Sequence, residues 1–198
     1  NTMPDFDFLS SLTLENERVL LRPLRAEDHA LLLSVACEDE SLLRYGSRHI
    51  HTPELLEAYI ADALSNRGKE MRYPFIVFDK ATANYAGSTS FYGVSNHDRR
   101  LEIGYTWYGS AFQRSGLNRY TKLLLLSYAF GELGFERVEF KIDERNAASR
   151  KAVERLGATQ EGILRSHMVL PDGFRRNTVY YSILKSEWPA IQAQFPIF

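Results

Sequence analysis

The sequence predicts a single-domain α/β (α+β) fold, in which a central mixed sheet of six to seven strands carries helices on both faces. Segments with the two-residue period of strands alternate with segments of helical spacing, in the order β-α-α-β-β-β-α-β-α-β-β. The 198 residues are enough for one domain, and no repeat or Pro/Ser/Gly-rich linker divides them. We place the domain at residues 18–188, after an N-terminal extension at 1–17 and before a C-terminal tail at 189–198.

The first part of the domain contains one strand and two helices. An apolar run over residues 18–24, interrupted by a proline, predicts the strand. Acidic residues at 27 and 28 then begin a helix that continues through Val35. A second helix begins where Thr52 caps the chain ahead of Pro53, and Gly68 ends it.

Three strands follow, over residues 74–78, 85–92 and 101–108. Short polar turns join them, which predicts an antiparallel meander. The third strand shows the two-residue period most clearly, because the apolar residues at 101, 103, 105 and 107 alternate with Glu, Gly, Thr and Tyr at 102, 104, 106 and 108.

The last part combines two helices with three strands. Residues 117–133 form a helix that is apolar nearly all round, which predicts a central, buried position. A strand over 138–142 precedes a helix that Asn146 caps and Gly157 ends. The strands over 159–169 and 174–184 flank a Pro-Asp-Gly turn and form a hairpin.

Charge and composition exclude several classes of function. Lys and Arg total 24 against 25 Asp and Glu, so the formal charge is −1 and gives no general attraction to nucleic acid or an anionic membrane. No apolar run approaches the ~18 residues of a spanning helix, and the N-terminus lacks the order of a signal peptide. The lone Cys37 excludes an internal disulfide and a Cys-based zinc cluster, and the five histidines are dispersed. We therefore expect a cytoplasmic protein with no metal, nucleic-acid or membrane partner, and a packing role for Cys37.

Two segments carry polar residues where a ligand can bind. The loop from Gln113 to Asn118 runs into the buried helix, where unpaired backbone N–H groups and Gly116 suit a phosphate group. The alternative is a strand-to-helix turn that needs Gly116 for its geometry alone. Asn146 and Ser149 follow the next strand, at an edge where ligands bind in open sheets. The alternative is that Asn146 only caps a helix and that Ser149 is a tolerated residue of its first turn.

These residues resemble a known family. Gln113-x-x-Gly116-x-Asn118, followed by Asn146-x-x-Ser149 and then by Arg-Leu-Gly-Ala at 155–158, resembles the acetyl-CoA site of GNAT N-acetyltransferases. The closer similarity is to the RimJ/RimL-like branch, which acetylates ribosomal-protein N-termini, and it covers residues 19–188. Asn118 departs from the usual Gly or Ala, and its side chain either crowds the pyrophosphate or donates a hydrogen bond to it.

The resemblance implies acetyl-CoA as co-substrate and gives roles to particular residues. Backbone amides of the loop would bind the pyrophosphate, the strand would pair with the pantetheine arm, and Asn146 would bind a pantetheine amide. Arg114 and Arg119 would add charge near the phosphates. The implied cofactor-binding residues are Thr106, Trp107, Tyr108, Gln113, Arg114, Ser115, Gly116, Leu117, Asn118, Arg119, Asn146 and Ser149.

The implied reaction is direct attack of an amine on the thioester, which requires a neutral amine and therefore favours a nearby base. Glu102 is the candidate base, on the strand face that it is expected to share with Gly104 and Thr106. The alternative is a structural Glu102, paired with Arg99 or Arg100. Ser149 is the candidate acid or hydrogen-bond donor for the departing thiolate, and a tyrosine could replace it.

The predicted function is acetyl-CoA-dependent N-acetylation of a primary amine, most simply a protein or peptide N-terminal α-amino group. Two alternatives stay open: acetylation of a small amine (amino acid, polyamine or aminoglycoside), and a non-catalytic acyl-CoA-binding module. An exposed hairpin and an aromatic C-terminus are compatible with a homodimer. Arg175 and Arg176 are expected on a solvated hairpin face, and His167 near the acceptor.

Overall fold

The computed structural model describes residues 2–196. Within them, the strands are β1 (Leu14–Glu15), β2 (Val19–Pro23), β3 (Arg72–Asp79), β4 (Asn84–Ser95), β5 (Arg100–Tyr108), β6 (Arg137–Asp143), β7 (Thr159–Val169) and β8 (Arg175–Leu184). The α-helices are α1 (Asp28–Cys37), α2 (Pro53–Gly68), α3 (Leu117–Ser127), α4 (Ala147–Leu156) and α5 (Trp188–Gln194).

The strands form one eight-stranded sheet in the order β1-β2-β3-β4-β5-β6-β8-β7. Every neighbouring pair is antiparallel except β5 and β6, which are parallel. The α/β class and the meander are confirmed, but the sheet has eight strands and not six or seven. The additional strand is β1, whose two residues pair with Leu21 and Leu20 and are too few to show a period.

Helices cover both faces of the sheet, as predicted. On one face, α3 and α4 pack with Leu101, Ile103 and Phe140 in the first hydrophobic core. On the other face, α1 and α2 pack with Ile76 and Trp107 in the second core. The predicted long helix is α3 followed directly by a π-helical turn at Tyr128–Glu132, and its leucines are buried.

Segments outside the predicted domain bounds pack in the first core. Phe6 and Phe8 are buried in the first core, and the amide of Asn96 accepts a hydrogen bond from Phe6 N and donates one to Phe6 O. Ile191 of α5 is buried in the same core. The division at 18–188 stays a prediction, and residues 1, 197 and 198 of the predicted extension and tail lie outside the described residues.

Two findings concern the predictions drawn from composition. None of the described helices is both long and apolar enough to cross a membrane. Cys37 is exposed at the end of α1 and does not pack, so that prediction was wrong. Cys37 is the last residue of α1, and its side chain there is left uncovered. The helical spacing of apolar residues in the sequence does not reveal this exposure.

Candidate active site

The sheet opens between its two parallel strands. Residues 100–102 of β5 pair with 137–139 of β6, and no pairing continues beyond them. The strands therefore separate towards their C-terminal ends, where the backbone of β5 from Ile103 onward has no strand beside it on that side. Free main-chain groups in such an opening can bind an extended ligand as an added strand.

A β-bulge at Tyr105 changes the direction of the side chains in this opening. Gly104 and Trp107 pair with Ser90 and Ser88, so β5 has one more residue than β4 between these pairs, and Tyr105 has a φ of 51°. Thr106 consequently points to the opposite face from Gly104, where its hydroxyl lies 2.8 Å from that of Thr89. The expectation that Glu102, Gly104 and Thr106 share one face was wrong because alternation does not reveal a bulge.

The loop ahead of α3 presents free backbone donors. The N–H groups of Arg114, Ser115, Gly116 and Asn118 make no hydrogen bond with any described residue. Gly116 is the N-cap of α3 with a φ of 86°, a conformation that costs L-residues with a side chain about 1–2 kcal/mol. Four unpaired donors beside the positive end of a helix can bind a phosphate group, so this loop is suited to a pyrophosphate.

The side chains of this loop mostly brace it. The Gln113 amide donates to Tyr108 O at 3.1 Å, and the Ser115 hydroxyl donates to Phe112 O at 2.5 Å. Leu117 is buried in the first core. Arg114 is exposed, and Arg119 lies over the rings of Tyr120 and Phe195.

The Asn118 side chain is engaged by two buried residues. Its Oδ1 accepts hydrogen bonds from the Tyr108 hydroxyl at 3.1 Å and from Lys122 Nζ at 2.7 Å. Burial lowers the pKa of Lys122 to about 8 and raises that of Tyr108. The carbonyl end of the Asn118 amide is therefore directed at protein donors, which the sequence motif did not indicate.

Glu102 lies on the opposite sheet face from the first core and is 4% exposed. Its Oε1 accepts a hydrogen bond from Lys141 Nζ at 2.5 Å, whereas its buried Oε2 has no partner among the described residues. Burial opposes the charge of Lys141, but the hydrogen bond and charge of Glu102 raise the Lys141 pKa. Neither Arg99, bound to Asp5, nor Arg100 pairs with Glu102, so the predicted structural partner is replaced by Lys141.

Tyr92 adjoins Glu102 across β4 and β5 and leans over Gly104. A Cβ at residue 104 would lie 3.0 Å from the Tyr92 hydroxyl oxygen, so the ring occupies the space that glycine leaves. Burial, followed by the charge of Glu102, raises the pKa of Tyr92 well above its usual value. The hydroxyl is therefore a neutral donor near the bulge.

The same sheet face continues onto β6 and β8. Register pairs place Lys141 beside Tyr180 and Asp143 beside Thr178, with Arg176 two residues further along β8. We call this face, with Tyr92 and Glu102, the polar face. Arg176 is 9% exposed and donates to the carbonyl of Tyr45, from the segment between α1 and α2. The prediction of a solvated hairpin holds for Arg175 but was wrong for Arg176, because only the tertiary contact with Tyr45 covers it.

Asn146 and Ser149 stand at the end of β6, where the sequence placed them. Asn146 Oδ1 accepts from Ser149 N at 3.2 Å and caps α4, whereas its amide nitrogen donates to no acceptor among the described residues. Because α4 packs in the first core, Ser149 lies on the opposite side of the opening from Glu102. His167 Nδ1 lies 2.9 Å from the Thr178 hydroxyl.

Within residues 2–196, no group of three or more His, Cys, Asp and Glu side chains could hold a metal ion. His49 and His51 do lie together, with ring centroids 5.7 Å apart, but no carboxylate or thiol of the described residues completes a ligand set.

Comparison with known proteins agrees with this architecture. The sequence model of the protein family described as "Acetyltransferase (GNAT) domain" matches residues 18–159 of the chain. The chain is 28% identical over 177 residues to a Bacillus subtilis (strain 168) protein named "Putative ribosomal N-acetyltransferase YdaF", covering 87% of this chain and 94% of that protein.

Solved structures show the same fold. A GCN5-related N-acetyltransferase from Brucella melitensis is 28% identical, with a TM-score of 0.88 over 99% of this chain and 88% of that one. Mycobacterium smegmatis RimJ, solved with CoA-disulfide, is 18% identical with a TM-score of 0.77 over 94% of this chain and 96% of that one, a likeness of fold. With the matched domain, these similarities confirm the predicted resemblance: the chain belongs to the GNAT acetyltransferase family and is an N-acetyltransferase.

Proposed function

We propose that this N-acetyltransferase transfers the acetyl group of acetyl-CoA to the N-terminal α-amine of a protein or peptide. The observation that carries the proposal is the opening between β5 and β6, with four free N–H donors at one end and a buried carboxylate on its polar side. The name of the Bacillus relative supports a ribosomal-protein acceptor, and the RimJ structure supports CoA as the carrier.

Acetyl-CoA supplies an activated acetyl thioester when it is bound. The backbone N–H groups of Arg114 to Asn118 would hold its pyrophosphate, with Arg114 and Arg119 contributing charge. The free edge of β5 at Thr106, Trp107 and Tyr108 would pair with the pantetheine arm. The free amide nitrogen of Asn146 would donate to a pantetheine carbonyl.

The chain's own residues then manage the protons. An α-ammonium group must lose a proton before its nitrogen lone pair can attack the thioester carbon. Glu102 Oε2, which has no partner among the described residues, would accept that proton directly or through a water molecule. As the carbon–sulfur bond breaks, the Ser149 hydroxyl on the other side would donate a proton or hydrogen bond to the thiolate.

The test is a thiol-release assay with acetyl-CoA against peptides with free N-termini, the same peptides with blocked N-termini, polyamines and aminoglycosides. We expect thiol release with the free peptides alone, and mass spectrometry should place the acetyl group on the α-nitrogen. Transfer to polyamines or aminoglycosides but to no peptide would replace the proposal with a small-molecule acetyltransferase.

Two further outcomes would contradict the proposal. Binding of acetyl-CoA without transfer to any amine would indicate an acyl-CoA-binding module. Calorimetric titration with CoA that gives no heat would indicate that Asn118 blocks the pyrophosphate site.

A further inference from the structure

Arg176 is a buried cation on the polar face that forms no ion pair with a carboxylate of the described residues. Its Nε donates to the Thr178 hydroxyl at 3.0 Å and its Nη1 donates to Tyr45 O at 3.2 Å, and both acceptors are neutral. Its Nη2 makes no hydrogen bond with any described residue, although the residue is only 9% exposed. One donor group of a largely desolvated guanidinium is thus left for a ligand.

The neighbouring acids are already paired with other cations. Glu102 accepts from Lys141 at 2.5 Å, and Asp143 accepts from Arg145 Nη2 at 2.8 Å and from the Arg145 backbone. Asp143 influences Arg176 only through its charge, and burial is the larger effect, so the pKa of Arg176 is lowered. No carboxylate of the described residues therefore accepts a hydrogen bond from Arg176.

Arg72 shows how a buried arginine without an acid can be accommodated. Its guanidinium lies 5.0 Å from the ring centroid of Tyr59 and 3.8 Å from that of Tyr105, and it donates to Ser90 and to the Tyr59 hydroxyl. Aromatic faces attract a cation and offset its desolvation. Among the described residues, Arg176 has no such ring and no carboxylate.

Resting on the proposed function, we propose that Arg176 binds a carboxylate of the acceptor, so that the enzyme selects peptides with an acidic side chain close to the reactive N-terminus. A carboxylate on Nη2 forms a charge-assisted hydrogen bond and supplies the missing counter-charge.

The spacing favours a side-chain carboxylate over the carboxylate of a free amino acid. Tyr180, opposite Lys141, lies four residues from Arg176 along β8, or about 13 Å of strand. An extended peptide advances about 3.3–3.6 Å per residue, so its fourth residue lies about 10–11 Å from the first. The length of an acidic side chain there makes up the rest of the separation when the α-amine lies near Glu102.

The experiment compares isosteric acceptors with the full-length enzyme and saturating acetyl-CoA. The peptides carry Asp or Asn at position 2, 3 or 4 of an otherwise neutral, C-terminally amidated sequence. Alanine and alaninamide test a free α-carboxylate. We expect kcat/KM to be about tenfold higher for Asp than for Asn at one position, the scale of a hydrogen bond to a charged group.

Variants assign the preference to Arg176. In Arg176→Gln the Asp/Asn ratio should fall to about one, while Arg176→Lys should retain part of it because the charge remains. Arg165→Gln, an exposed arginine on β7, removes the same charge and should keep the full ratio. Calorimetry with CoA shows whether each variant keeps an intact cofactor site.

The outcomes separate this inference from the function beneath it. Acetylation of peptides without an acid preference, or with a preference that survives in Arg176→Gln, would overturn the role of Arg176 alone. A preference for alanine over alaninamide without one among the peptides would also overturn it. Absence of transfer to every amine despite CoA binding would overturn the proposed function itself.

Discussion

Glu102 combines burial with an unused oxygen. Lys141 holds Oε1, which fixes the orientation of the carboxylate, while Oε2 has no partner among the described residues. A purely structural ion pair at this depth would be expected to satisfy both oxygens, because a buried polar atom without a partner costs free energy. The unpaired Oε2 supports the proposed role of Glu102 as a base.

Glu102→Gln should lower kcat by about 10²-fold near neutral pH, since the amide cannot accept the ammonium proton. The loss should shrink as pH rises past about 8, where an α-amine is neutral without help. Steady-state kinetics between pH 6 and 9 measure this, and calorimetry should show unchanged CoA affinity. A loss by the same factor at every pH would show that Glu102 only supports the structure.

Lys122 is a second unusual residue, because its buried side-chain ammonium has only the neutral Asn118 amide as a hydrogen-bond partner among the described residues. Its pKa of about 8 lies below the ordinary 10.5, so the folded state releases the proton earlier than the unfolded state. Below pH 8 folding therefore buries a charge, and this cost disappears as pH rises towards 10.5.

Lys122→Met should increase the free energy of unfolding at pH 7, by at most about 3 kcal/mol from a shift of this size. The difference in free energy of unfolding between variant and wild type should decrease between pH 8 and 10, as measured by urea unfolding across this range. Lys151→Met, at an exposed position on α4, is the control and should show no such gap. A gap that is independent of pH would contradict the buried titration.

At the scale of elements, the site depends on where α3 begins. Gly116 takes a φ of 86° at the N-cap of α3, and Gly157 takes a φ of 101° at the C-cap of α4. Both conformations are unfavourable for residues with a Cβ. Only Gly116 lies among the four unpaired N–H donors. Substitution of either glycine therefore tests stability, whereas substitution of Gly116 also tests CoA binding.

Gly116→Ala and Gly157→Ala should each destabilise the fold by about 1 kcal/mol. Only Gly116→Ala should weaken CoA binding, because a change of φ at residue 116 reorients the unpaired N–H groups beside it. Calorimetric titration beside urea unfolding distinguishes the two effects. Equal CoA affinity in both variants would remove the phosphate-binding role of this loop.

At the scale of the whole molecule, the opening in the sheet separates two chemistries. The Ser149 side adjoins α3 and α4, and the Glu102 side carries the polar face.

The N-terminal segment completes the α3 side, where the ring of Phe6 meets Phe8, Tyr73 and Phe91 edge to face. Residues before the matched domain therefore contribute to its core.

Phe6→Ala should destabilise the protein by about 3–5 kcal/mol, as expected for loss of a buried aromatic side chain. Leu9→Ala, three residues away and 85% exposed, is the matched control and should change stability by less than about 0.5 kcal/mol. Urea unfolding measures both. Similar small effects would mean that the segment does not support the core.

The strand and helix periods of the sequence determined most of the elements, because hydrophobic spacing and caps are local. Thr52 does cap α2, and β7 has the predicted bounds. The turn into α3 was also legible, since Gly116 and the buried helix after it are adjacent in sequence, whereas the phosphate-binding role of this loop stays a prediction. The two-residue β1 and the exposure of Cys37 were not legible, because each depends on what packs nearby.

Only the tertiary structure decided which polar groups meet. Lys141 reaches Glu102 from the neighbouring strand, and Tyr45 covers Arg176 from 131 residues away in sequence. The bulge at Tyr105 reverses Thr106 through a pairing with β4 that no period of β5 alone encodes. Burial and charge pairing arise between segments distant in the chain. The sequence therefore determined the fold class and the family, whereas packing decided the partner of Glu102 and left Arg176 without a carboxylate partner among the described residues.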